Sequence, residues 1–294
     1  MNISFLQLEG HPSLEPLFHG LVERLKEHRI TAEFITSPHP ADKKPEPDLT
    51  IVHNSDHPIG MFPNRVMLGR RTINRHERLV VAQDAGAPVT PWISPTDSRS
   101  IPDFFSAIGA DKLVFKRDMS LRRNAVQLIS SDDPLPQDIA PMADVVMRLL
   151  TLDPITYKTD VFVDTFVGAY ALPTRAIGSP DFLEPSPRAE SWDPPAEVLE
   201  ACREVGRALL PYGCGYFSID WMRAERGFSI IEINTCNVGL RRTWLRWPSY
   251  LENYVTSIRN FLASGQRAPT TGESFLAADA LRSRLASGNQ MVGK

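Results

Sequence analysis

Apolar positions recur along the chain with two different periods. Residues 2–8 form a short apolar run. Residues 13–29 then place Leu14, Leu17, Phe18, Leu21, Val22 and Leu25 at intervals of one, three and four, which lines up side chains on one helix face. A strand followed by a helix is predicted. Residues 31–35 and 49–52 read as two more strands, separated by a Pro-rich connector at 37–47. Residues 1–68 therefore predict a small Rossmann-like unit. The turn after the first strand is Glu9, Gly10, His11, Pro12, which lacks the G-x-G-x-x-G spacing that lets backbone approach a pyrophosphate. This unit is expected to scaffold or bind substrate rather than to hold a dinucleotide.

Further along, a helix is predicted over 74–85, with Asn74 as N-cap, Glu77 completing a capping box and Gly86 closing the helix before Ala87 and Pro88. Short apolar and β-branched runs at 112–116, 125–129, 144–149, 160–167 and 169–172 predict an antiparallel sheet. Residues 180–195 hold five prolines and predict a loop. An amphipathic helix is expected over 196–210, a hairpin over 216–222 and 228–233, and a core helix over 250–262. Beyond Ser264 the composition turns to Gly, Thr, Ser, Gln and Pro, with one short amphipathic stretch at 275–285, which predicts a loosely attached tail.

Composition narrows the class. The 294 residues are 42% apolar and 23% charged, enough for about two globular domains. A formal charge of −3 supplies no overall field toward nucleic acid or an anionic membrane, so neither partner is expected. No apolar run approaches the ~18–20 residues of a membrane-spanning helix. Cys202, Cys214 and Cys236 show no metal-type spacing, and no basic segment followed by an apolar core opens the chain, so a reduced, cytoplasmic protein is expected. The seven histidines, all within the first 76 residues, carry no metal assignment.

The sharpest chemical feature is the pair of runs Gly215-Tyr216-Phe217-Ser218-Ile219-Asp220-Trp221 and Ser229-Ile230-Ile231-Glu232-Ile233-Asn234. Glu232 and Asn234 are two apart on one strand and share a face. Asp220 lies on the preceding strand of the hairpin and can point to the same side. Two carboxylates and an amide oxygen form a hard oxygen set suited to Mg²⁺. The plainer reading is a hairpin with solvated acids, against which stand the apolar residues flanking each one.

With these residues the sequence resembles the ATP-grasp superfamily over residues 1–260. That superfamily includes D-alanine-D-alanine ligases, glutathione synthetases, ribosomal protein glutamate ligases and carbamoyl-phosphate-synthetase-like ligases. In it a strand ending in Asp precedes a strand reading Glu-x-Asn, and the resemblance implies that Asp220, Glu232 and Asn234 bind one or two Mg²⁺ between the β- and γ-phosphates of ATP. Ala85-Gly86-Ala87-Pro88-Val89 is similar to the family's turn before the ATP-binding sheet, and Leu113-Val114-Phe115-Lys116 to the strand with the phosphate-binding lysine. An ammonium at the edge of a low-dielectric cleft attracts anionic oxygens strongly, although Lys116 taken alone would read as an edge-strand charge. The run Tyr157-Lys158-Thr159-Asp160-Val161-Phe162-Val163-Asp164, followed by Pro173-Thr174-Arg175, is similar to the segment that brings an arginine to the γ-phosphate. Arg175 joins Lys116 as a candidate for stabilising the transferring phosphoryl group.

The resemblance further implies that Arg75 stands in for a second ATP lysine and that main chain at Met147, Arg148 and Leu149 reads adenine, with Arg148 replacing the family's usual acidic residue. Arg241 and Arg242 would clamp a substrate anion, surface charge being their plainer reading. Cys236 has no neighbouring histidine base and reads as a small buried or loop residue rather than a nucleophile. One departure stands out: Arg117-Asp118-Met119-Ser120-Leu121-Arg122-Arg123-Asn124 holds no glycine where the family has a glycine-rich loop. Arg122 and Arg123 either replace backbone phosphate donors or are solvated charges.

The expectation is therefore an α/β protein of ATP-grasp fold: an N-terminal Rossmann-like preATP-grasp domain over 1–70, the ATP-grasp domain over 71–263 and a tail over 264–294. The implied function is an ATP- and Mg²⁺-dependent carboxylate–amine ligase acting through an acyl phosphate on a small-molecule carboxylate and amine, with a homodimer left open. The alternatives are a degenerate nucleotide- or metabolite-binding protein, or a small-molecule kinase on the same fold.

Overall fold

A computed structural model of the chain describes residues 1–7, 15–35, 47–53, 64–69, 72–95, 100–117, 126–134, 136, 139–174, 189–235 and 249–287. The apolar rhythm of the first unit becomes β1 (Asn2–Gln7), α1 (Glu15–Glu27) and β2 (Thr31–Ile35), with Phe5 of β1 opposite Phe34 of β2. β3 (Leu49–His53) pairs on the other side of β1, and β4 (Met67–Leu68) follows it, giving a parallel sheet of order β2-β1-β3-β4. α1 buries Leu17, Phe18, Leu21, Val22 and Leu25 against that sheet. Each such side chain is worth about 1.5–3 kcal/mol relative to leaving it in water.

α2 (Arg75–Asp84) starts as its sequence predicts. The Asn74 side chain accepts the Glu77 N–H at 2.8 Å, and Glu77 accepts the Asn74 N–H at 2.7 Å. Gly86 leaves the helix at φ +78°, a conformation that suits glycine.

Two antiparallel sheets follow instead of the one expected. β5 (Trp92–Ile93), β6 (Lys112–Lys116), β7 (Val126–Ser130) and β8 (Val145–Arg148) are ordered β5-β8-β6-β7. Helix α3 (Ser100–Ile108), which the sequence reading does not predict, covers this sheet with Ile101, Phe104 and Phe105. The larger sheet holds β9 (Ile155–Phe162), β10 (Thr165–Pro173), β11 (Glu190–Ser191), β12 (Tyr216–Arg223) and β13 (Phe228–Asn234), ordered β11-β10-β9-β12-β13. α4 (Ala196–Leu209) packs Val198, Cys202 and Val205 with Val161, Phe217, Ile219 and Trp221. α5 (Ser249–Ala263) packs Tyr250, Tyr254 and Ile258 with Phe162 and Tyr216 in the same cluster as α1.

Two segments differ from expectation. The strand break expected at Gly168 lies instead at Val163 and Asp164, with Val163 at φ 55°. Gly168 marks a register shift within β10. A Cβ on Gly206 of α4 would meet the Val163 carbonyl oxygen at 1.7 Å, so only glycine lets α4 close over this turn. The segment expected as a loosely attached tail forms a 16-residue helix, α6 (Thr271–Ala286), begun by a Thr270–Glu273 capping box. Two of its arginines reach α2 and the residues just before it. Arg282 reaches Glu77 at 2.7 Å and the Thr72 carbonyl at 2.8 Å, and Arg284 reaches Asp84 at 2.5 Å.

The first unit meets the larger sheet through His53. Its Nε2 lies 3.0 Å from the Tyr254 hydroxyl, and its ring contacts Tyr216 edge-on at 5.2 Å. Burial pushes this imidazole down to about 3. The folded value lies below the unfolded one, so the unfolded chain takes the proton first. The associated stability is complete above the ordinary histidine value, ~6.5, and is lost as pH falls toward 3, at up to about 1.4 kcal/mol per pH unit. Urea unfolding of wild type and His53→Gln between pH 7 and 4 should show the wild type losing stability more steeply. Equal slopes would refute the assignment.

Candidate functional site

The hairpin β12–β13 carries the three oxygen-bearing residues singled out in the sequence. Asp220 pairs with Glu232 and Ser218 with Asn234, so Asp220, Glu232 and Asn234 project from one face. Beyond Asp220 the register shifts, and Trp221 pairs with Ile230, which leaves Ile231 as an extra residue in β13. A bulge of this kind frees a backbone group from the ladder. The Ile231 carbonyl accepts a hydrogen bond from Lys116 Nζ at 2.8 Å.

Lys116 arrives from the other antiparallel sheet. β6 turns Leu113 and Phe115 toward α3, while Val114 packs on the opposite side with Met147. Lys116, two residues beyond Val114, shares that side. Its Nζ stands 3.6 Å from Glu232 Oε2. Arg75, the first residue of α2, brings Nη2 to 3.0 Å from Glu232 Oε1 and donates through Nη1 to the Arg117 carbonyl.

A third cation, Lys158, comes from β9. It lies opposite Asp220 in the ladder and donates to both carboxylate oxygens, at 2.7 and 2.6 Å. Lys158, Asp220 and Glu232 thus form one row across three strands. Nothing in the sequence singles out Lys158 for a role at this site. Its only signal there is a charge two residues from Asp160 in an apolar strand, and no spacing rule connects it to Asp220, 62 positions away.

Burial would raise Glu232, but Arg75, Lys116 and Lys158 outweigh it and hold the carboxyl well below the usual range. Burial pushes Asp220 up. Lys158 pulls against that shift and the charge of Glu232 adds to it. Burial would lower Lys158, yet Asp220 keeps the ammonium above its ordinary value. Burial also pushes Lys116 down, with Arg75 adding to the effect and Glu232 opposing it.

The donor chemistry fits Mg²⁺. Both carboxylates and the Asn234 amide offer hard oxygens on one face. Among the described residues no three His, Cys, Asp or Glu side chains cluster, so a nitrogen- or sulfur-rich metal centre has no counterpart there. Cations already engage both carboxylates, which suits a metal that arrives with a polyanion able to take those cations over better than a bare ion. Among the described residues no cysteine lies at the row. Cys202 lies on the α4 side, bonded to Thr159, with its thiol pushed up to about 12 by burial.

The hinge expectation narrows. Met147 is held between Trp92 of β5 and Val114 of β6, and the Arg148 N–H donates to the Pro91 carbonyl at 2.9 Å. The Arg148 N–H is thus taken by the sheet, while the Arg148 carbonyl, opposite a proline that has no N–H, and Leu149, just past the strand, stay candidates for reading a base. Arg175, Arg241, Arg242, Arg122, Arg123 and Cys236 lie outside the described residues. Replacing Arg75 by Met would leave Glu232 with Lys116 as its nearest cation, and removing one partner of a buried pair costs about 3–5 kcal/mol. The Arg75→Met variant should lose stability on that scale in denaturant unfolding; a loss under about 1 kcal/mol, typical of an exposed pair, would show that the contact is solvated.

No family model matches the sequence, and no curated protein is significantly similar to it. Solved structures do match. The ATP-grasp ligase PsnB complexed with minimal precursor, Mg and ADP is 14% identical, with 96% of each chain covered and a TM-score of 0.57. The macrocyclase MdnC bound with precursor peptide MdnA, from Microcystis aeruginosa MRC, is 11% identical over 88% of this chain and 100% of that one, TM-score 0.57. The D-cycloserine synthetase DcsG is 13% identical over 87% and 99%, also at 0.57. At these identities the likeness is one of fold, and the fold is ATP-grasp.

Proposed function

We propose that this chain, which has the ATP-grasp fold, is an ATP-dependent carboxylate–amine ligase that forms an amide through an acyl phosphate and releases ADP and phosphate. The observation that carries the reading is the Asp220–Glu232 pair ringed by Arg75, Lys116 and Lys158. That Mg and ADP accompany a structural neighbour supports it.

In this reading Asp220, Glu232 and Asn234 hold Mg²⁺, which when bound offsets charge on the β- and γ-phosphates. Lys116 and Arg75 face the same phosphates. Their bonds to the Ile231 and Arg117 carbonyls fix them in place before substrate arrives, so little reorganisation is needed during reaction. Arg175 joins them at the γ-phosphate, Arg241 and Arg242 clamp the substrate carboxylate, and main chain at Leu149 reads adenine. Residues 1–70 would present substrate to the nucleotide held by 71–263. The substrate carboxylate attacks the γ-phosphorus and displaces ADP; the amine then attacks the acyl carbon and displaces phosphate. Neither step needs a protein nucleophile, and positioning with charge stabilisation suffices.

Glu232→Gln should abolish ATP consumption at saturating Mg²⁺ while circular dichroism shows the fold retained; wild-type turnover in that variant would remove Glu232 from the metal site. With an accepted substrate, oxygen-18 in its carboxylate should appear in the released phosphate. AMP among the products would contradict the mechanism. Lys116→Ala should weaken ATP binding in calorimetry by about 1.5–3 kcal/mol, the value of a charge-assisted hydrogen bond. Unchanged affinity would take Lys116 out of the phosphate site.

A further inference from the structure

Lys158 differs from the other two cations of the row. Lys116 and Arg75 are each anchored to a backbone carbonyl as well as to Glu232. Among the described residues the hydrogen bonds of Lys158 go to Asp220 alone, and they take both of its oxygens, the atoms a metal would need. The Lys158 side chain is 20% exposed against 7% for Lys116, so its four-carbon stem has room to move the ammonium without unpacking the sheet.

We propose that Lys158 is the stand-in for the divalent cation: its ammonium occupies the metal's place on Asp220 until metal and polyphosphate arrive together. This rests on the metal assignment made for the proposed function. The geometry carries it. Lys158 holds both Asp220 oxygens beside a Glu232 already engaged by Arg75 and Lys116, so a lone divalent ion must displace an ammonium without bringing it a new anion in return. A metal accompanied by a polyphosphate brings surplus negative charge, and the released ammonium transfers from a carboxylate to a phosphate oxygen. Loading is therefore coupled. The carboxylates keep a cation throughout, and metal without polyphosphate binds weakly.

The test uses Mn²⁺ alone and Mn²⁺ with a non-hydrolysable ATP analogue, read by electron paramagnetic resonance. Wild type should bind Mn²⁺ weakly alone and well with the analogue. Lys158→Gln, which keeps a hydrogen-bonding group and removes the charge, should bind Mn²⁺ alone at least about tenfold more tightly, as expected when a unit positive charge leaves a site a few ångströms away. Adding Asp220→Asn to that variant should abolish the gain. Equal Mn²⁺ affinity in wild type and Lys158→Gln would overturn the proposal, while analogue binding by wild type would leave the proposed function standing. Failure of wild type to bind Mn²⁺ even with the analogue would remove both. Should Lys158→Gln not fold, nitrogen-15 lysine spectra of the wild type decide: the Lys158 ammonium signal should shift with Mg²⁺ plus analogue and stay fixed with Mg²⁺ alone, and any other pattern refutes the exchange.

Discussion

Asp220 and Glu232 face each other on β12 and β13, and like charges so placed destabilise a sheet unless cations lie close by. Asp220 is buried and the Glu232 side chain is only 20% exposed, which makes an unpaired charge more costly there than at the surface. The chain answers with cations from three separate elements: Arg75 at the start of α2, Lys116 at the end of β6 and Lys158 in the middle of β9. Much of the architecture around the larger sheet can be understood as what brings those three side chains to one place.

Lys116 shows how this constraint spreads. Its bond to the Ile231 carbonyl crosses between the two antiparallel sheets, and it exists because the bulge in β13 turns that carbonyl out of the ladder. Arg75 depends on a longer chain of support. It begins a helix whose capping glutamate, Glu77, is buried and bonded to Arg282 of α6. The C-terminal helix therefore helps hold the N-terminus of α2, and with it one of the cations beside Glu232. A segment remote in sequence from the acids thus contributes to the geometry of the row.

The opposite end of the same sheet face is occupied by aromatic side chains. Tyr216 and Tyr254 stack with centroids 5.2 Å apart, the Tyr216 and Tyr250 hydroxyls bond to each other, and Tyr254 bonds to His53 of the first unit. A polar tip on each ring lets these side chains bury their bodies without stranding a hydroxyl. The first unit is fastened to β12 and α5 by this packing, four residues from Asp220 along β12. Charged at one end and aromatic at the other, that face combines a site with the joint between two units.

Local pattern was enough to place much of this. Period-two and helical spacing located α1, α4, α5 and the β12–β13 hairpin, and the Asn74–Glu77 capping box could be read from four residues because its bonds are local. The Asp220, Glu232 and Asn234 set was legible for the same reason: alternation along a strand determines which side chains share a face. Non-local terms were not legible. The turn at Val163 required knowing that Gly206 packs against it, and α6 required knowing that Arg282 would find Glu77, 205 positions away. Lys158 became part of the row only when β9 was paired in register beside β12. Sequence alone determined which residues could serve as oxygen ligands, since that follows from side-chain chemistry and strand period. Which cations neutralise them was decided by tertiary structure, because a charge is held by whatever lies within a few ångströms, and strand register and helix packing set those distances.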